Sequence, residues 1–317
     1  MGWQQVGGLT AGLTCCDLLA LRYFSWAVQN ERSRNTFVRN IVEVYSEYDL
    51  DGIDIDWEYP GTQGDPQNYV DPSDTANLLE FFKLLRINLP PTARITAAVQ
   101  TVPFAGADGQ PVDDVRAFAD VLDWALLMNY DVWGSSANPG PNAPLSNGCQ
   151  NSSQPAANAE AAVDAWTAAG FPSNKLVLAV PSYGYISRSS ATQLRQRGEE
   201  SPPNVHAVTG EGTDTGQVQF RDLVRENVLC EDPAGPGVYI GCGGFTRVWD
   251  ACSSTPFVHS DDEKQIVTYD DPQSLGLKSA FAKERGLLGV NLFDVHGDTD
   301  KWELVDSLRQ GLGLIFT

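Results

Sequence analysis

The chain has 317 residues, of which 41 are acidic and 21 are basic, so its formal net charge is −20. This length suits one large α/β barrel or two smaller domains. The acidity argues against nucleic acid and anionic membranes as partners, because both require clustered lysine and arginine, and the sequence has no apolar stretch of the roughly 18 residues that a transmembrane helix needs.

The first predicted element is a helix over residues 34–48, because apolar side chains recur there on one stripe. That stripe consists of Phe37, Ile41, Val44 and Tyr48. The preceding residues 12–28 are apolar, but Asp17, Arg22 and the lack of a basic start argue against a signal peptide.

Residues 51–60 form the most informative segment, in which three apolar and three acidic side chains alternate. The two sets are Ile53, Ile55 and Trp57, and Asp54, Asp56 and Glu58. Alternation with period two predicts a strand whose acids share one face and whose apolar residues share the other. Like-charge repulsion on that face raises at least one pKa, and a carboxyl that keeps its proton near neutral pH suits a general acid.

Strands and helices alternate downstream, which predicts parallel βαβ units in an α/β fold. Asp74 is expected to cap a helix that runs to about Leu89. The further predicted helices cover residues 112–121, 155–169, 273–285 and 301–312, and the further strands cover residues 95–100, 124–129, 176–181 and 287–293. These short apolar strands suit a sheet that is covered by helices on both faces.

Residues 187–262 interrupt this rhythm, and they are rich in Gly, Pro, Ser and charged residues. We expect them to form a loop-rich insertion within a single domain of residues 1–317. They contain Cys230, Cys242 and Cys252, which favours a disulfide there if the protein is secreted. The remaining cysteines, Cys15, Cys16 and Cys149, show no zinc-ligand spacing with any of the three histidines, so we expect neither a metal nor a cofactor.

The segment from Asp51 to Pro60 resembles the D-G-I-D-I-D-W-E-Y-P motif of glycoside hydrolase family 18, the chitinase family, and the chain looks closest to secreted fungal chitinases. The resemblance implies a (β/α)8 barrel with this motif on its fourth strand. Only 50 residues precede the motif, whereas one βα unit takes roughly 30. We therefore expect the first two strands to be missing, with residues 6–8 as the remnant of the third.

The resemblance also implies a catalytic role for four residues of the chain. Glu58 would be the general acid and base, Asp56 would hold the substrate's acetamido group, and Asp54 would tune Asp56. Tyr130, within the run Met128 to Asp131, would contact the attacking carbonyl oxygen. The residues that would bind substrate are Asp131, Trp57, Tyr59, Met128 and Phe293. Phe293 stands where the family usually has a tryptophan, which puts substrate affinity in doubt but not the type of reaction.

The predicted function is hydrolysis of β-1,4-N-acetylglucosamine linkages in chitin and chito-oligosaccharides, by an extracellular monomer that binds neither nucleic acid nor membranes. One alternative is an endo-β-N-acetylglucosaminidase acting on N-glycans. Another is an inactive, truncated chitinase-like protein that only binds carbohydrate.

Overall fold

The computed structural model describes residues 23–64, 66–194, 216–233, 235 and 237–314. Several sequence-based expectations lie outside these residues: the remnant strand at residues 6–8, Cys15, Cys16 and the apolar residues before Tyr23. The described residues divide into two compact units, the first lying within the ranges Met1–Leu127 and Asp164–Leu176 and the second within Met128–Val163 and Val177–Thr317.

Up to residue 181, strands and helices alternate as predicted. They are α1 (Phe24–Val28), α2 (Glu31–Glu47), β1 (Gly52–Asp56), α3 (Asp74–Asn88), β2 (Arg94–Val99), α4 (Arg116–Val121), β3 (Trp124–Met128), α5 (Ala159–Ala168) and β4 (Leu176–Pro181). All four strands were predicted within a few residues. Asp74 is the first residue of α3 and does not cap that helix as the sequence suggested. Helix α2 begins earlier than expected because Asn30 and Ser33 form a capping box, and Tyr48 lies exposed after its end rather than on its packed face.

The remaining elements are β5 (Tyr183–Arg188), β6 (Gln217–Gln219), α6 (Phe220–Arg225), β7 (Leu229–Glu231), β8 (Tyr239–Gly241), β9 (Thr246–Asp250), β10 (Thr255–Ser260), β11 (Gln265–Thr268), α7 (Pro272–Glu284), β12 (Gly289–Phe293) and α8 (Glu303–Leu312). The predicted last strand and both last helices are therefore present, with shifts of one to two residues at their ends.

Parallel pairing is found in both units. In the first unit β1 pairs with β2 and β2 pairs with β3, and the register sets Asp54 opposite Thr96. In the second unit β12 pairs with β4, with Phe293 opposite Pro181. The predicted α/β class with parallel strands is thus confirmed.

Within residues 187–262, where a loop-rich insertion was expected, the described parts contain short strands. β5, β6, β9, β10 and β11 form an antiparallel sheet in the order β6-β5-β11-β10-β9, and β7 and β8 form a hairpin. The strands carry β-branched and aromatic residues, which favour the extended chain. Among the described residues of this segment, most glycines, prolines and serines lie in the turns between the strands, so the average composition did not indicate the strands.

Aromatic side chains make up much of the first unit's core. Contacts with centroid separations of 4.5–6.3 Å run through Phe24, Phe37, Phe81, Phe82, Phe118, Phe104, Trp166 and Phe171, and Trp57 stacks on Phe24. Trp166 also donates its indole hydrogen to the carbonyl oxygen of Gln100 at 3.1 Å, which satisfies its buried polar atom. This packing fixes the helices against the strand that carries the acidic residues.

Two disulfides lie in the second unit, Cys149–Cys252 and Cys230–Cys242. The disulfide expected among the last three cysteines is therefore present as Cys230–Cys242, and the third of them, Cys252, pairs with Cys149. Backbone hydrogen bonds from Leu145 to Ser253 and from Gly148 to Cys252 reinforce the longer link. Among the described helices, none combines the length and apolar character needed to cross a bilayer.

Candidate active site

Strand β1 presents two faces of opposite character, as its alternation predicts. Ile53, Ile55 and Trp57 are at most 4% exposed. Asp54 and Asp56 on the other face are half-buried, and Glu58, just beyond the strand, is exposed. Gly52 opens the strand because a Cβ there would collide with the backbone of Arg94 on β2. Tight strand pairing thus aims three carboxyl groups in one direction.

Asp54 is the first of the three acids along β1. Its Oδ1 accepts a hydrogen bond from the hydroxyl of Thr96, its partner in the strand register. Burial raises the pKa of Asp54, and the Thr96 hydrogen bond partly opposes that rise. Thr96 was not anticipated, although it is the only polar residue between Ile95 and Val99 in an otherwise apolar strand.

The pKa of Asp56 is raised from its ordinary value to about 7. Burial contributes most, followed by the negative charges of Glu58 and Asp54 and by a side-chain hydrogen bond with Glu58. Its Oδ1 is buried, and no hydrogen-bond partner for it lies within the described residues. An orphaned buried acceptor is costly, so this oxygen is suited to receive a donor from a ligand.

Glu58 and the residues after it are held by the loop that follows β1. The side-chain amide of Asn68 donates to the carbonyl oxygen of Glu58 at 2.9 Å. The peptide bond between Glu58 and Tyr59 is cis, and Tyr59 is half-buried. Glu58 is thus an exposed residue whose backbone carbonyl is held by Asn68 of the following loop.

Trp57 does not occupy the position that its predicted substrate-binding role requires. It is 4% exposed and stacks on Phe24, with ring centroids 5.3 Å apart and planes 11° apart. Because Trp57 has the same phase as Ile53 and Ile55, it points into the core. We assign it to packing instead.

In the second unit, Asp131 is held by two tyrosines. The hydroxyls of Tyr183 and Tyr185 both donate to Asp131 Oδ1 at 2.7 Å. The backbone N–H of Asp131 donates to Asn142 Oδ1 at 2.8 Å. Asp131 itself is exposed and has a positive φ of 57°. Burial, followed by the charge of Asp131, raises the pKa of both tyrosines, so they stay protonated as donors.

Tyr185 was not predicted as a site residue, although its spacing from Tyr183 indicated a shared orientation. It lies two residues after Tyr183 on β5, so both side chains point to the same face. No strand was predicted at these residues.

Three aromatic rings meet in the second unit at the ends of strands. Tyr130 stacks on Phe293 with centroids 5.8 Å apart, and Tyr183 lies at 6.1 Å from Tyr130 and 6.4 Å from Phe293. Phe293 is 52% exposed, so part of its ring is available to a ligand. Met128, at the end of β3, is half-buried.

The structure thus brings Asp54, Asp56 and Glu58 together in the first unit. In the second unit it groups Tyr130 with Phe293, and Asp131 with the two tyrosines. In the part of the chain that the structure describes, no group of three or more His, Cys, Asp or Glu could hold a metal ion. The acidic group on β1 consists of carboxyl side chains, and the pKa of one of them, Asp56, is raised to about 7.

Comparison with known proteins gives one consistent family. Residues 19–298 match the family described as "Glycosyl hydrolases family 18". A chitinase-like effector of Moniliophthora roreri is 36% identical over 92% of this chain and 75% of its own length, and one of Moniliophthora perniciosa is 33% identical over 98% and 72%. The crystal structure of a chitinase from Rhizomucor miehei superposes with a TM-score of 0.78 at 31% identity, covering 92% of this chain and 81% of that one.

Proposed function

Since the chain belongs to glycoside hydrolase family 18, we propose that it hydrolyses β-1,4-linked N-acetylglucosamine chains, with Glu58 as general acid and base. The observation that carries this proposal is the state of Asp56. Its pKa is raised to about 7, it is hydrogen-bonded to Glu58, and its buried Oδ1 lacks a partner among the described residues. The family's fold is a (β/α)8 barrel, and we propose that β1 to β4 and β12 are strands of it.

The proposed reaction is substrate-assisted, because this family is an exception to the scheme in which two carboxyl groups share the work. Glu58 gives its proton to the glycosidic oxygen while the bond from that oxygen to C1 breaks. The carbonyl oxygen of the substrate's own N-acetyl group forms the new bond to C1. Water then attacks C1 and gives a proton to Glu58, while the bond between C1 and the acetamido oxygen breaks and the N-acetyl group is restored. Two successive displacements at C1 retain its configuration.

Asp56 is proposed to accept the acetamido N–H through its orphaned Oδ1. That contact aims the acetamido carbonyl oxygen, and the negative charge on Asp56 stabilises the positive charge of the cyclic intermediate. The hydrogen bond between Asp56 and Glu58 lets the two groups share a proton as the reaction proceeds. Asp54, two residues earlier on β1, contributes to this coupling because its negative charge also raises the pKa of Asp56.

The roles of the remaining site residues are proposed from the family resemblance. Tyr130 would donate its hydroxyl to the attacking carbonyl oxygen, and Asp131 would hydrogen-bond the sugar. Phe293 would stack on a pyranose face with the exposed part of its ring, while Met128 and Tyr59 would line the sugar. The two disulfides support an extracellular location, because disulfides persist in oxidising compartments.

Substrate choice is tested by incubating the protein with N-acetyl-chitohexaose and, separately, with a high-mannose N-glycan. We expect cleavage of the first and not of the second, and no cleavage by Glu58→Gln. Cleavage of the N-glycan alone would favour an endo-β-N-acetylglucosaminidase instead.

A second candidate is a protein that binds chito-oligosaccharides without cleaving them. It is favoured by the two relatives named chitinase-like effectors. It is distinguished by calorimetric titration with N-acetyl-chitohexaose: heat of binding with no product after long incubation would support it, and product would exclude it.

A further inference from the structure

One sequence pattern lies outside the proposed active site, in the loop between β3 and α5. Asn151-Ser152-Ser153 is the only place in the chain where an asparagine stands two residues before a serine or threonine with no proline between them. This pattern is the acceptor for N-linked glycosylation, provided that the asparagine is accessible and the protein enters the secretory pathway. The surroundings of Asn151 bear on both conditions.

Asn151 and Ser153, the two residues that define the acceptor pattern, are both exposed. Neither side chain forms a hydrogen bond with a residue that the structure describes. Ser152, which lies between them, is half-buried, and its hydroxyl accepts from the backbone N–H of Gln154 at 3.1 Å. The amide of Asn151 can therefore be modified without the loss of a hydrogen bond among the described residues.

The chain on either side of Asn151 is attached to neighbouring segments of the second unit. On one side, Cys149 forms a disulfide with Cys252. On the other side, the side-chain amide of Gln154 donates to the carbonyl oxygen of Val132 at 2.9 Å. Because both flanks are held, the fold keeps the acceptor asparagine at the surface between them.

The turn before Asn151 is organised by a different asparagine. Asn147 Oδ1 accepts from the backbone N–H of Ser152 at 3.2 Å, and the carbonyl oxygen of Asn147 accepts from the backbone N–H of Gln150 at 2.8 Å. Gln150 has a positive φ of 54°, a left-handed conformation that non-glycine residues adopt mostly in turns. Asn147 therefore holds the turn, whereas Asn151 makes none of its hydrogen bonds.

The loop that carries Asn151 has no charged side chains. Residues 132–159 contain no Asp, Glu, Lys or Arg, although these four types make up 20% of the chain. Charged side chains keep most protein surfaces solvated, and a glycan is a bulky, hydrated group with the same effect. A glycan on Asn151 would therefore supply hydration to a loop that lacks charged groups of its own.

The disulfides bear on the second condition, passage through the secretory pathway. Cys149 lies two residues before Asn151 and is bonded to Cys252, and Cys230 is bonded to Cys242. Structural disulfides form in the oxidising lumen of the secretory pathway, where N-linked glycans are also added. The Cys149–Cys252 bond and the glycan would thus be completed in the same compartment.

From these observations we propose that Asn151 carries an N-linked glycan when the chain passes through the secretory pathway. The donor is an oligosaccharide on a lipid diphosphate, and a glycosyltransferase of that pathway catalyses the transfer. Nδ2 of Asn151 bonds to C1 of the first sugar and loses one proton, while the bond from C1 to the phosphate oxygen breaks and the lipid diphosphate leaves. The proposal rests on the extracellular location proposed above and requires no activity of Glu58.

The test is secretion of the whole chain from yeast, followed by intact-mass spectrometry before and after an endoglycosidase that leaves one sugar on the asparagine. We expect a broad mass distribution that sharpens, after treatment, to the mass of the chain plus one N-acetylglucosamine. Peptide mapping should place that sugar on Asn151. The variant Asn151→Gln should have the mass of the unmodified chain.

Three further variants separate recognition of the acceptor pattern from other effects. Ser153→Ala leaves Asn151 in place and should remove the mass shift, whereas Ser153→Thr should retain it, because either hydroxyl completes the pattern. Asn138→Gln is the matched control, since Asn138 is an exposed asparagine of the same loop that stands directly before a proline. This variant should keep the glycan.

A secreted wild type with the mass of the unmodified chain would overturn the proposal. A mass shift that persists in Asn151→Gln would overturn it too, because the sugar would then be attached elsewhere. If Asn151→Gln is not secreted, Ser153→Ala decides, and a glycan retained in that variant counts against the proposal. Failure of the proposed function is separate: it would show as no product from N-acetyl-chitohexaose with either the glycosylated or the enzymatically deglycosylated protein, whatever the masses.

Discussion

Tyr185 donates its hydroxyl hydrogen to Oδ1 of Asp131 at 2.7 Å, the same oxygen that Tyr183 contacts at 2.7 Å. Both tyrosines are at most 8% exposed, whereas Asp131 is exposed. Two buried hydroxyl donors thus fix the exposed carboxylate of Asp131. Its orientation toward any ligand is set before the ligand arrives, which reduces the entropy that binding must overcome.

We therefore predict that Tyr185→Phe weakens this arrangement without abolishing it. A hydrogen bond to a charged group contributes about 1.5–3 kcal/mol, and Tyr183 still holds Asp131 in the variant. We expect kcat/KM for N-acetyl-chitohexaose to fall several-fold, mainly through KM. Steady-state kinetics measure this, with Tyr48→Phe as a control on an exposed tyrosine. A variant indistinguishable from wild type in KM would show that Tyr185 does not position Asp131 for substrate.

Protein stability should depend on pH through Asp56. Its pKa is raised from 3.8 to about 7 in the folded chain, so between these values the folded state binds a proton that the unfolded state has released. Stability due to Asp56 is therefore greatest at low pH and falls as pH rises from about 4 to 7. Urea unfolding at pH 4.5 and 7.5 should show a smaller loss in Asp56→Asn than in wild type. Equal losses would mean that the pKa of Asp56 is not raised.

The interaction between Asp56 and Glu58 gives an independent check of the raised pKa by titration. The charge of Glu58 is the second cause of the raised pKa of Asp56, after burial. Carbon-13 NMR of the carboxyl groups should therefore show a lower pKa for Asp56 in Glu58→Gln. An unchanged value would mean that the two acids are not coupled.

Phe293→Trp should strengthen substrate binding. Phe293 is 52% exposed and stacks on Tyr130, and an indole offers a larger face and an N–H donor. We expect the Kd for N-acetyl-chitohexaose, measured by calorimetry in a Glu58→Gln background, to fall a few-fold. Val295→Trp, two residues further on and 48% exposed, serves as the control for adding a tryptophan nearby. If both variants bind alike, position 293 has no special contact with sugar.

The two disulfides should contribute unequally to stability. Cys149 and Cys252 are 103 residues apart in sequence, and Cys230 and Cys242 are 12 apart. The chain-entropy argument assigns about 5 kcal/mol to a loop of the first size and about 3 kcal/mol to one of the second. We therefore expect the double variant Cys149→Ala/Cys252→Ala to have a lower Tm than Cys230→Ala/Cys242→Ala. The reverse order would mean that the loss acts through the folded state rather than the unfolded chain.

The parallel strands were predicted well from the sequence, whereas the starts of α2, α4 and α5 were misplaced by three to four residues. Strands such as β2 and β4 are short apolar runs with clear ends, and burial on both faces imposes that composition. Helix starts depend on local side-chain bonds instead. The helix expected from residue 112 begins at Arg116, because Asp114 accepts from the backbone N–H of Arg116 and Pro111 bridges to Ala105.

The candidate site was predictable where its residues share one strand. Asp54, Asp56 and Glu58 are linked by the period of two, so their common direction follows from sequence alone. Thr96 and Tyr185 depend on register and on a strand that was not foreseen, and neither can be inferred from spacing within one segment. The placement of Trp57 was implicit in the same alternation, and its burial against Phe24 follows from that rule rather than from the motif.

The measurement that tests the central claim most directly is NMR of the anomeric protons in the first products released from N-acetyl-chitohexaose, with Glu58→Gln alongside. The substrate-assisted mechanism predicts an initial excess of the β-anomer from wild type and no product from the variant. An initial excess of the α-anomer, or substantial turnover by Glu58→Gln, would contradict it.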